Sequence, residues 1–324
     1  MKFSTRSVGY AAGLLASFFW GIHSVIIRHL TQQGVDPNLI AGLRLYIGAA
    51  TIFVILMLQR VTRRGKEKKT APFTFHPLFI LAALSLGINF LLFQTGLQYT
   101  LASDANLIQN FSPVAVLIMS SIFLRHRIRE IAPNTKYWMS IFQIVLVGSI
   151  GASLVLITDV NNAIVPSQQK LQGDVMAFVG MLFFSLFVIF SSEFSKIQPK
   201  ISSLWTTMLT LAVAALPVSL LVPFRDLPGL TADQWYFIVF IGIFSTGVAY
   251  WLWIIASKRL NVVPLTLNLV YIGIITVLTE VFFLDLLLDW KIVLGGALMI
   301  AASVLAEITN EKARKYSKSL TKVH

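Results

Sequence analysis

Of the ionisable residues in the long apolar segments of this 324-residue chain, three matter most, namely His23, Arg44 and Glu280. An arginine at the centre of a membrane helix costs about 2.5–3.5 kcal/mol, so such residues usually have a partner or a function. Arg44 and Glu280 fall at similar depths, and two alternatives follow. Either Arg44 is held by Glu280 or by helix carbonyls in a structural or gating role, or each residue reaches the outer interface. His23 could carry a proton near neutral pH, although a single histidine there is more often a hydrogen-bonded packing residue.

Polar side chains recur on one face of the segment that follows residue 103. This stripe consists of Asn106, Gln109, Asn110 and Pro113, spaced i, i+3, i+4 and i+7. That spacing is one face of a helix. The amides could bind a solute in a central cavity, or they could bond neighbouring helices and fix their packing. We favour the cavity, because polar groups in hydrocarbon must turn inwards.

Aromatic side chains in other segments predict a second wall of the same cavity. Rings attract cations by about 0.5–2 kcal/mol each, so such a wall would suit a planar or cationic solute. The same rings could equally fill the core of a helix bundle or lie at a membrane interface. The aromatic candidates are Trp20, Phe93, Phe184, Tyr250, Trp253 and Tyr271. The polar candidates beside them are His23, Ser24, Asn89 and Asn268.

Ten apolar segments must position these residues. Each is about 20 residues long, which is the length that crosses a bilayer core of roughly 30 Å. Their apolar residues do not alternate, so helices are favoured over β-strands. Charged residues make up only 12% of the chain, against about 25% in soluble proteins. The sequence thus predicts an all-α membrane protein with ten transmembrane helices, at residues 8–30, 38–58, 77–99, 104–124, 137–157, 173–194, 202–224, 234–257, 263–284 and 291–310.

The basic residues predict the orientation. With the N-terminus in the cytoplasm, 21 Lys and Arg fall on the cytoplasmic side and 4 on the other, while Arg44 lies inside a segment. The positive-inside rule therefore places both termini in the cytoplasm, and we expect the cell (inner) membrane. The net charge of +12 does not indicate nucleic acid, because the basic residues cluster in short connections. We expect a lipid bilayer and a small-molecule solute as partners.

The second half of the sequence repeats the first. At an offset of 160, Gly247 falls on Gly87 and Trp253 on Phe93. An odd number of spans in each copy turns the second copy over, and inverted repeats are typical of transporters. We expect a first five-helix repeat at residues 1–157, an extracytoplasmic linker at 158–172, a second, inverted repeat at 173–310 and a basic cytoplasmic tail at 311–324.

Short motifs in both halves carry a family resemblance. They are Phe19-Trp20-Gly21, Gly42-Leu43-Arg44, the stretch from Gly96 to Ser103, Pro113 with Phe123-Leu124, and Gly173-Asp174. In this order, over residues 8–310, they resemble the drug/metabolite transporter superfamily of the EamA type. The chain departs from the family pattern where Gly-Glu is expected after Phe-Leu, because it has Arg125-His126 and Asp285-Leu286 there.

The resemblance implies alternating access around a cavity lined by helices 1, 3, 4, 6, 8 and 9. Members move amino acids, amines, nucleotide sugars and drugs. We expect export of small amphiphilic metabolites, with amino acids, including aromatic ones, as the leading cargo. Cationic amines or drugs are the alternative cargo, and an intramembrane enzyme or a lipid-handling protein is the alternative of another class.

Several signatures of other activities are missing from the sequence. It has no phosphate-cradling loop, no His-Glu-x-x-His and no cysteine, so we expect neither enzymatic activity nor a cofactor or metal. The fifth and tenth predicted helices carry small residues at four-residue spacing, such as Gly148 with Ala152, and Ala297 with Ala301. Such spacing allows close helix packing, so these two helices should brace the bundle or form the face of a homodimer.

Overall fold

The fold was analysed in a computed structural model that describes residues 5–62, 73–109, 111–123, 135–156, 167–260, 265, 268–284 and 290–320. These residues form helices and short connections, and they include no strand. The all-α class that the sequence predicts is confirmed. Helices suit a hydrocarbon environment because each one satisfies its backbone hydrogen bonds internally.

The first half of the chain contains six described helices. They are α1 (Thr5–Gln32), α2 (Pro37–Thr62), α3 (Pro77–Tyr99), α4 (Ala102–Gln109), α5 (Ser112–Phe123) and α6 (Thr135–Leu156). The fourth predicted segment is thus described as two helices, with Phe111 in a turn before α5. Pro113 fits the interruption, because proline lacks the amide proton that would bond the carbonyl of Gln109, four residues earlier.

The second half begins with α7 (Ser167–Ile197) and α8 (Ser203–Ser219). A 3₁₀ turn at Phe224–Gly229 leads to a helix in three parts: α9 (Ala232–Phe240), a π-helical segment (Ile241–Val248) and α10 (Ala249–Ser257). The last two helices are α11 (Val270–Leu284) and α12 (Trp290–Leu320). Two of these helices extend past the predicted boundaries, since α7 begins inside the predicted linker and α12 continues into the predicted tail. Both extensions are helical turns rich in polar residues, which water can solvate beyond the bilayer core.

Among the residues that the structure describes, five helices are long and apolar enough to cross a membrane. They are Ser7–Gln32, Pro37–Thr62, Pro77–Tyr99, Gln168–Ile197 and Ala232–Ser257. Shorter apolar helices lie at Ser203–Ser219, Tyr271–Phe283 and Val293–Ala302. Large apolar side chains such as Phe53 and Phe282 point out of the bundle, where lipid would cover them. The chain is therefore a multi-pass membrane protein, and the number of ten spans stays a prediction.

Glycines mark a close contact between the two halves. A Cβ added to Gly173 of α7 would lie 2.9 Å from the backbone nitrogen of Thr100, at the end of α3. A Cβ added to Gly9 of α1 would lie 2.9 Å from Leu260, just after α10. The offset of 160 pairs Leu260 with Thr100, and an offset of 164, at which the sixth predicted helix aligns with the first, pairs Gly173 with Gly9. Each half therefore packs a small residue against the same position of the other half.

A second pair of contacts follows the same rule. Gly87 of α3 lies against Ala214 of α8, and Gly247 of the π-helical segment lies against Gly48 of α2. Gly87 and Gly247 are the residues that match at an offset of 160. Small residues allow helix backbones to approach this closely. The core of the bundle is thus an interface between the two halves, with small residues at these contacts.

The fifth and tenth predicted helices correspond to α6 and α12, which pack against each other. A Cβ added to Gly148 would lie 3.3 Å from the Cβ of Ala302. Val114, Ile144 and Ala302 form a small apolar cluster beside the main core. On the other side of α6, Phe142 is 68% exposed. These helices brace one flank of the bundle, and the homodimer face stays a prediction.

Candidate functional site

A cavity lies at the centre of the bundle, between helices of both halves. Its volume is about 50 Å³, which is room for several water molecules. Aromatic rings form one part of its wall, and amides, a histidine and an arginine form another. The lining residues are Trp20, His23, Arg44, Asn89, Phe90, Phe93, Gln94, Asn106, Gln109, Ser112, Phe184, Tyr250, Leu269 and Ile272.

The structure brings together most of the residues that the sequence singles out. Nine of them line the cavity, namely Trp20, His23, Arg44, Asn89, Phe93, Asn106, Gln109, Phe184 and Tyr250. Ser24, Trp253, Asn268 and Glu280 are buried but are not among the lining residues. Asn110 lies outside the described residues. Their part in binding a solute stays a prediction, because position alone does not show it.

The structure corrects the placement of Tyr271. Its side chain is 47% exposed on the outside of the bundle, while Leu269 and Ile272 line the cavity. The prediction assumed that Asn268 and Tyr271 share one helical face. However, residues 268–269 form a turn and α11 begins only at Val270, so the helical spacing does not extend back to Asn268.

The aromatic wall is centred on Trp20. Its ring centroid lies 5.0 Å from that of Tyr250, 5.2 Å from Trp253 and 6.0 Å from Phe184. Trp253 is fully buried and supports the wall from behind. The Trp20 indole Nε1 donates to the Ser245 carbonyl at 2.9 Å. Ser245 belongs to the π-helical segment, a geometry often found at functional sites. A hydrogen bond between the two halves therefore fixes the central ring.

Two of the cavity amides also hold helices together. Asn89 Nδ2 donates to the Gly180 carbonyl at 2.9 Å, and Asn106 Nδ2 donates to the Thr276 hydroxyl at 2.9 Å. Both bonds join one half to the other. Of the two interpretations left open by the sequence, the packing role of these amides is thus visible. It does not exclude the cavity role, because both residues also line the cavity.

Gln94 is a lining residue that the sequence reasoning missed. It is 1% exposed, and neither Oε1 nor Nε2 has a hydrogen-bond partner among the described residues. Asn89 and Phe93 share one helical face because they are four residues apart. Gln94 follows Asn89 by five residues, so the spacing did not place it on that face. Its position one turn after Phe90 is the signal that could have indicated it. An unpaired buried amide is costly, so it requires an explanation.

Arg44 reaches the cavity from α2 and is 2% exposed. Its Nε donates to the Thr246 hydroxyl at 3.2 Å, and its guanidinium carbon lies 5.0 Å from the centroid of the Phe90 ring. No carboxylate among the described residues forms an ion pair with it. The suggested pairing of Arg44 with Glu280 is therefore absent from this structure. Since Arg44 is buried, it also does not reach the outer interface.

Glu280 has a different environment. Its two carboxylate oxygens accept hydrogen bonds from the backbone nitrogens of Ala102 and Ser103, each at 3.0 Å. These nitrogens belong to the first turn of α4, where the helix dipole favours a negative charge. Glu280 on α11 therefore caps a helix of the other half, and it is 1% exposed.

Ionic groups collect at the same end of the bundle. Lys170 Nζ lies 3.1 Å from Asp104 and 3.3 Å from Asp174. The Thr100 hydroxyl donates to Asp174 at 2.6 Å, and Arg28 donates to the Thr100 carbonyl. We call these five residues the terminal ionic cluster. It joins α1, α4 and the end of α3 to α7, at the end predicted to face away from the cytoplasm.

His23 is 7% exposed and lines the cavity, as Trp20 does. Its Nδ1 forms a hydrogen bond with the Trp20 carbonyl of its own helix. When Nδ1 carries the proton, Nε2 is an acceptor in the neutral ring. The bond matches the packing alternative for this histidine, and proton coupling stays a prediction.

Comparisons with known proteins agree with this architecture. The model of the EamA-like transporter family matches residues 7–159 and 171–307, one match in each half. The uncharacterized transporter YoaV of Bacillus subtilis (strain 168) is 22% identical over 306 residues, which cover 92% of this chain and 96% of YoaV. An uncharacterized transporter of Archaeoglobus fulgidus is 25% identical, covering 87% of this chain and 92% of its own length.

A solved crystal structure also resembles this chain. Its TM-score is 0.63 at 16% sequence identity, and the match covers 95% of this chain and 99% of the other. At this identity the likeness shows the fold alone.

Proposed function

We propose a cargo and a mechanism for this chain, which belongs to the EamA-like transporter family and is a multi-pass membrane transporter, not an enzyme. In our proposal it exports small amphiphilic metabolites, with amino acids as the leading class, by alternating access. One observation carries the proposal: a cavity between the two halves has both an aromatic wall and a polar wall.

The packing of the halves supports the mechanism. Equivalent glycines contact equivalent positions across the interface, as in the pairs Gly9 with Leu260 and Gly173 with Thr100. Repeats related in this way can exchange their conformations, which opens the cavity first to one side and then to the other. We accordingly keep residues 1–157 and 173–310 as inverted repeats, with both termini in the cytoplasm of a cell whose inner membrane holds the protein.

The size of the cavity limits what this conformation can hold. Its volume of about 50 Å³ is well below the roughly 150 Å³ of a cavity that binds benzene. An aromatic amino acid therefore enters only after the aromatic wall moves outwards. Trp20 and Ser245 belong to different halves, so a relative movement of the halves would break their bond and make this room.

The charge of the wall separates amino acids from the alternative cargo. Among the described lining residues, Arg44 is a permanent cation and no side chain is a carboxylate. A cationic amine would meet repulsion from Arg44 in a medium of low dielectric constant. The Phe90 ring, which could attract a cation, already lies against Arg44. These observations favour a cargo with a negative group over the cationic amines and drugs.

Counterflow in proteoliposomes tests this proposal. Vesicles with purified protein are preloaded with one unlabelled L-amino acid or amine, and uptake of the labelled compound is measured. We expect accumulation of at least one amino acid, a fall of tenfold or more in Phe93→Ala, and little change in Phe283→Ala, whose ring is 79% exposed outside the bundle. Accumulation of amines alone would favour the alternative cargo, and no accumulation of either class would refute the proposal.

The homodimer through α6 and α12 is a second proposal, supported by the exposed apolar face of α6. Phe142 and Ile150 lie on that face. Light scattering of the detergent-solubilised protein measures the oligomeric state directly. A dimer that becomes a monomer in Phe142→Ser would support the proposal, whereas a monomeric wild-type protein would contradict it.

A further inference from the structure

We propose that Arg44 and Gln94 form a subsite that binds the carboxylate group of the cargo. The inference rests on the proposed function, because it assumes that the central cavity receives the cargo. It goes further by naming the group that the cargo must carry and the two side chains that recognise it.

Arg44 has unused hydrogen-bonding capacity. Its Nε is taken by the Thr246 hydroxyl, and its two terminal nitrogens have no hydrogen-bond partner among the described residues. A guanidinium presents these two nitrogens as a planar fork that matches the two oxygens of a carboxylate. A buried cation without a counter-charge is unfavourable. A cargo carboxylate would supply the missing charge and two charge-assisted hydrogen bonds.

Gln94 also has unused hydrogen-bonding capacity, independently of Arg44. Both polar atoms of its buried amide lack a partner among the described residues, and the side chain lines the cavity. Protein groups elsewhere in the wall, such as Asn89 and Asn106, are already paired. The Gln94 amide is therefore available to a ligand. Its Nε2 can donate to a carboxylate, and its Oε1 can accept from an ammonium group on the same molecule.

Phe90 brings the two groups to the same part of the cavity. The Arg44 guanidinium lies against the Phe90 ring, and Gln94 follows Phe90 by four residues on α3. Residues at this spacing are neighbours on one helical face. The subsite is thus formed by adjacent surfaces of α2 and α3. The rings of Trp20 and Phe184 line the cavity from α1 and α7, where they can contact the apolar part of the cargo.

Matched ligands test the inference on the purified full-length protein. Thermal unfolding is measured with the proteinogenic L-amino acids and, for each one that stabilises the protein, with its amide and its decarboxylated amine. Sodium chloride is kept constant, and its concentration is varied in a separate series. We expect amino acids to raise the unfolding temperature, because a ligand that binds only the folded state raises its stability. The amide and the amine should not raise it, because both lack the carboxylate.

The variants assign the effect to the two residues. Arg44→Gln should weaken amino-acid binding by roughly tenfold to a hundredfold, the range of hydrogen bonds to charged groups. Arg44→Lys keeps the positive charge but loses the two-nitrogen fork of the guanidinium, so a smaller loss of amino-acid affinity is expected. Gln94→Leu should weaken binding severalfold. Arg60→Gln is the matched control: Arg60 lies on the same helix, 5.6 Å from the Trp205 ring, away from the cavity, and its replacement should not change the affinity.

Several results would overturn the inference. They are equal affinity for an amino acid and its amide, unchanged affinity in Arg44→Gln, stabilisation by amines alone, and no stabilisation by any amino acid. Protection by chloride alone would also overturn it, because it would show a site for small anions and not for cargo. If Arg44→Gln fails to fold, the amino-acid affinities of Arg44→Lys and Gln94→Leu test the inference instead, and unchanged affinity in both would overturn it. The wild-type protein could show amino-acid counterflow while Arg44→Gln binds amino acids with unchanged affinity. That result would refute this inference and leave the proposed function standing.

Discussion

Replacing Glu280 with glutamine tests the link between the halves most directly. The carboxylate accepts one backbone N–H from Ala102 and one from Ser103, each at 3.0 Å, and it is almost fully buried. Glutamine has nearly the same shape but only one acceptor oxygen and no charge. One N–H of the α4 terminus would therefore face an amide NH₂ group, which cannot accept its proton.

The size of the effect follows from these two bonds. A hydrogen bond to a charged group contributes about 1.5–3 kcal/mol, a neutral one about 0.5–1.5 kcal/mol, and an unpaired buried N–H costs about 1–3 kcal/mol. Losing the charge on one bond and the whole of the other adds up to about 2–4 kcal/mol. We expect the apparent Tm of the Glu280→Gln protein in detergent to fall by several degrees.

The control is the same substitution at Glu193, which is also buried but pairs with Lys196, a residue with a half-exposed side chain. An ion pair near solvent contributes about 0–1 kcal/mol, so Glu193→Gln should lower the Tm much less. Intrinsic tryptophan fluorescence during heating measures both variants. An unchanged Tm in Glu280→Gln, together with a changed pH profile of transport, would refute the capping role and favour a coupling role for this carboxylate.

Three further predictions concern the wall and the interface. Trp20→Phe should lower counterflow at least severalfold, because it removes the indole bond between the halves; a transport rate equal to wild type would contradict this. Tyr250→Ala should lower counterflow, whereas Tyr271→Ala should not, because Tyr271 lies outside the cavity; the reverse order would refute the correction made above. Gly173→Val should abolish folded protein on size-exclusion chromatography, because its Cβ would meet backbone atoms within 3 Å, while Gly229→Val, with open space around it, should not.

The sequence was sufficient for the membrane class and for most of the cavity wall. Length and apolar content identify helices that cross a bilayer, and polar residues in them must face inwards. Asn106 and Gln109, for example, were predicted from helical spacing alone, and both line the cavity. This reasoning works within one regular helix, here from Asn106 to Gln109 in α4, because the spacing then fixes the face.

Prediction from helical spacing fails where the helix is interrupted or where the contacting residue lies far away in the sequence. Tyr271 was misplaced because the chain turns at residues 268–269, which no periodicity reveals. The partners of Arg44 and Glu280 were also out of reach, since similar depth in the membrane does not determine which helices are neighbours. Thr246 approaches Arg44 from a π-helical segment, whose register differs from that of an α-helix. Contacts of this kind depend on the packing of the two halves, which a single sequence does not encode in local spacing.

The chemistry of the terminal ionic cluster suits a contact that must open. Under the mechanism proposed above, the halves separate at one end of the cavity in each cycle. Separating apolar surfaces into water is opposed by the hydrophobic effect. In contrast, the buried charges of Asp104, Lys170 and Asp174 regain hydration when water enters, and this gain offsets much of the Coulomb energy that is lost. The net energy of such a pair is therefore close to zero, although its geometry is specific. The cluster can therefore align the halves in the closed state without making the opening of that end expensive.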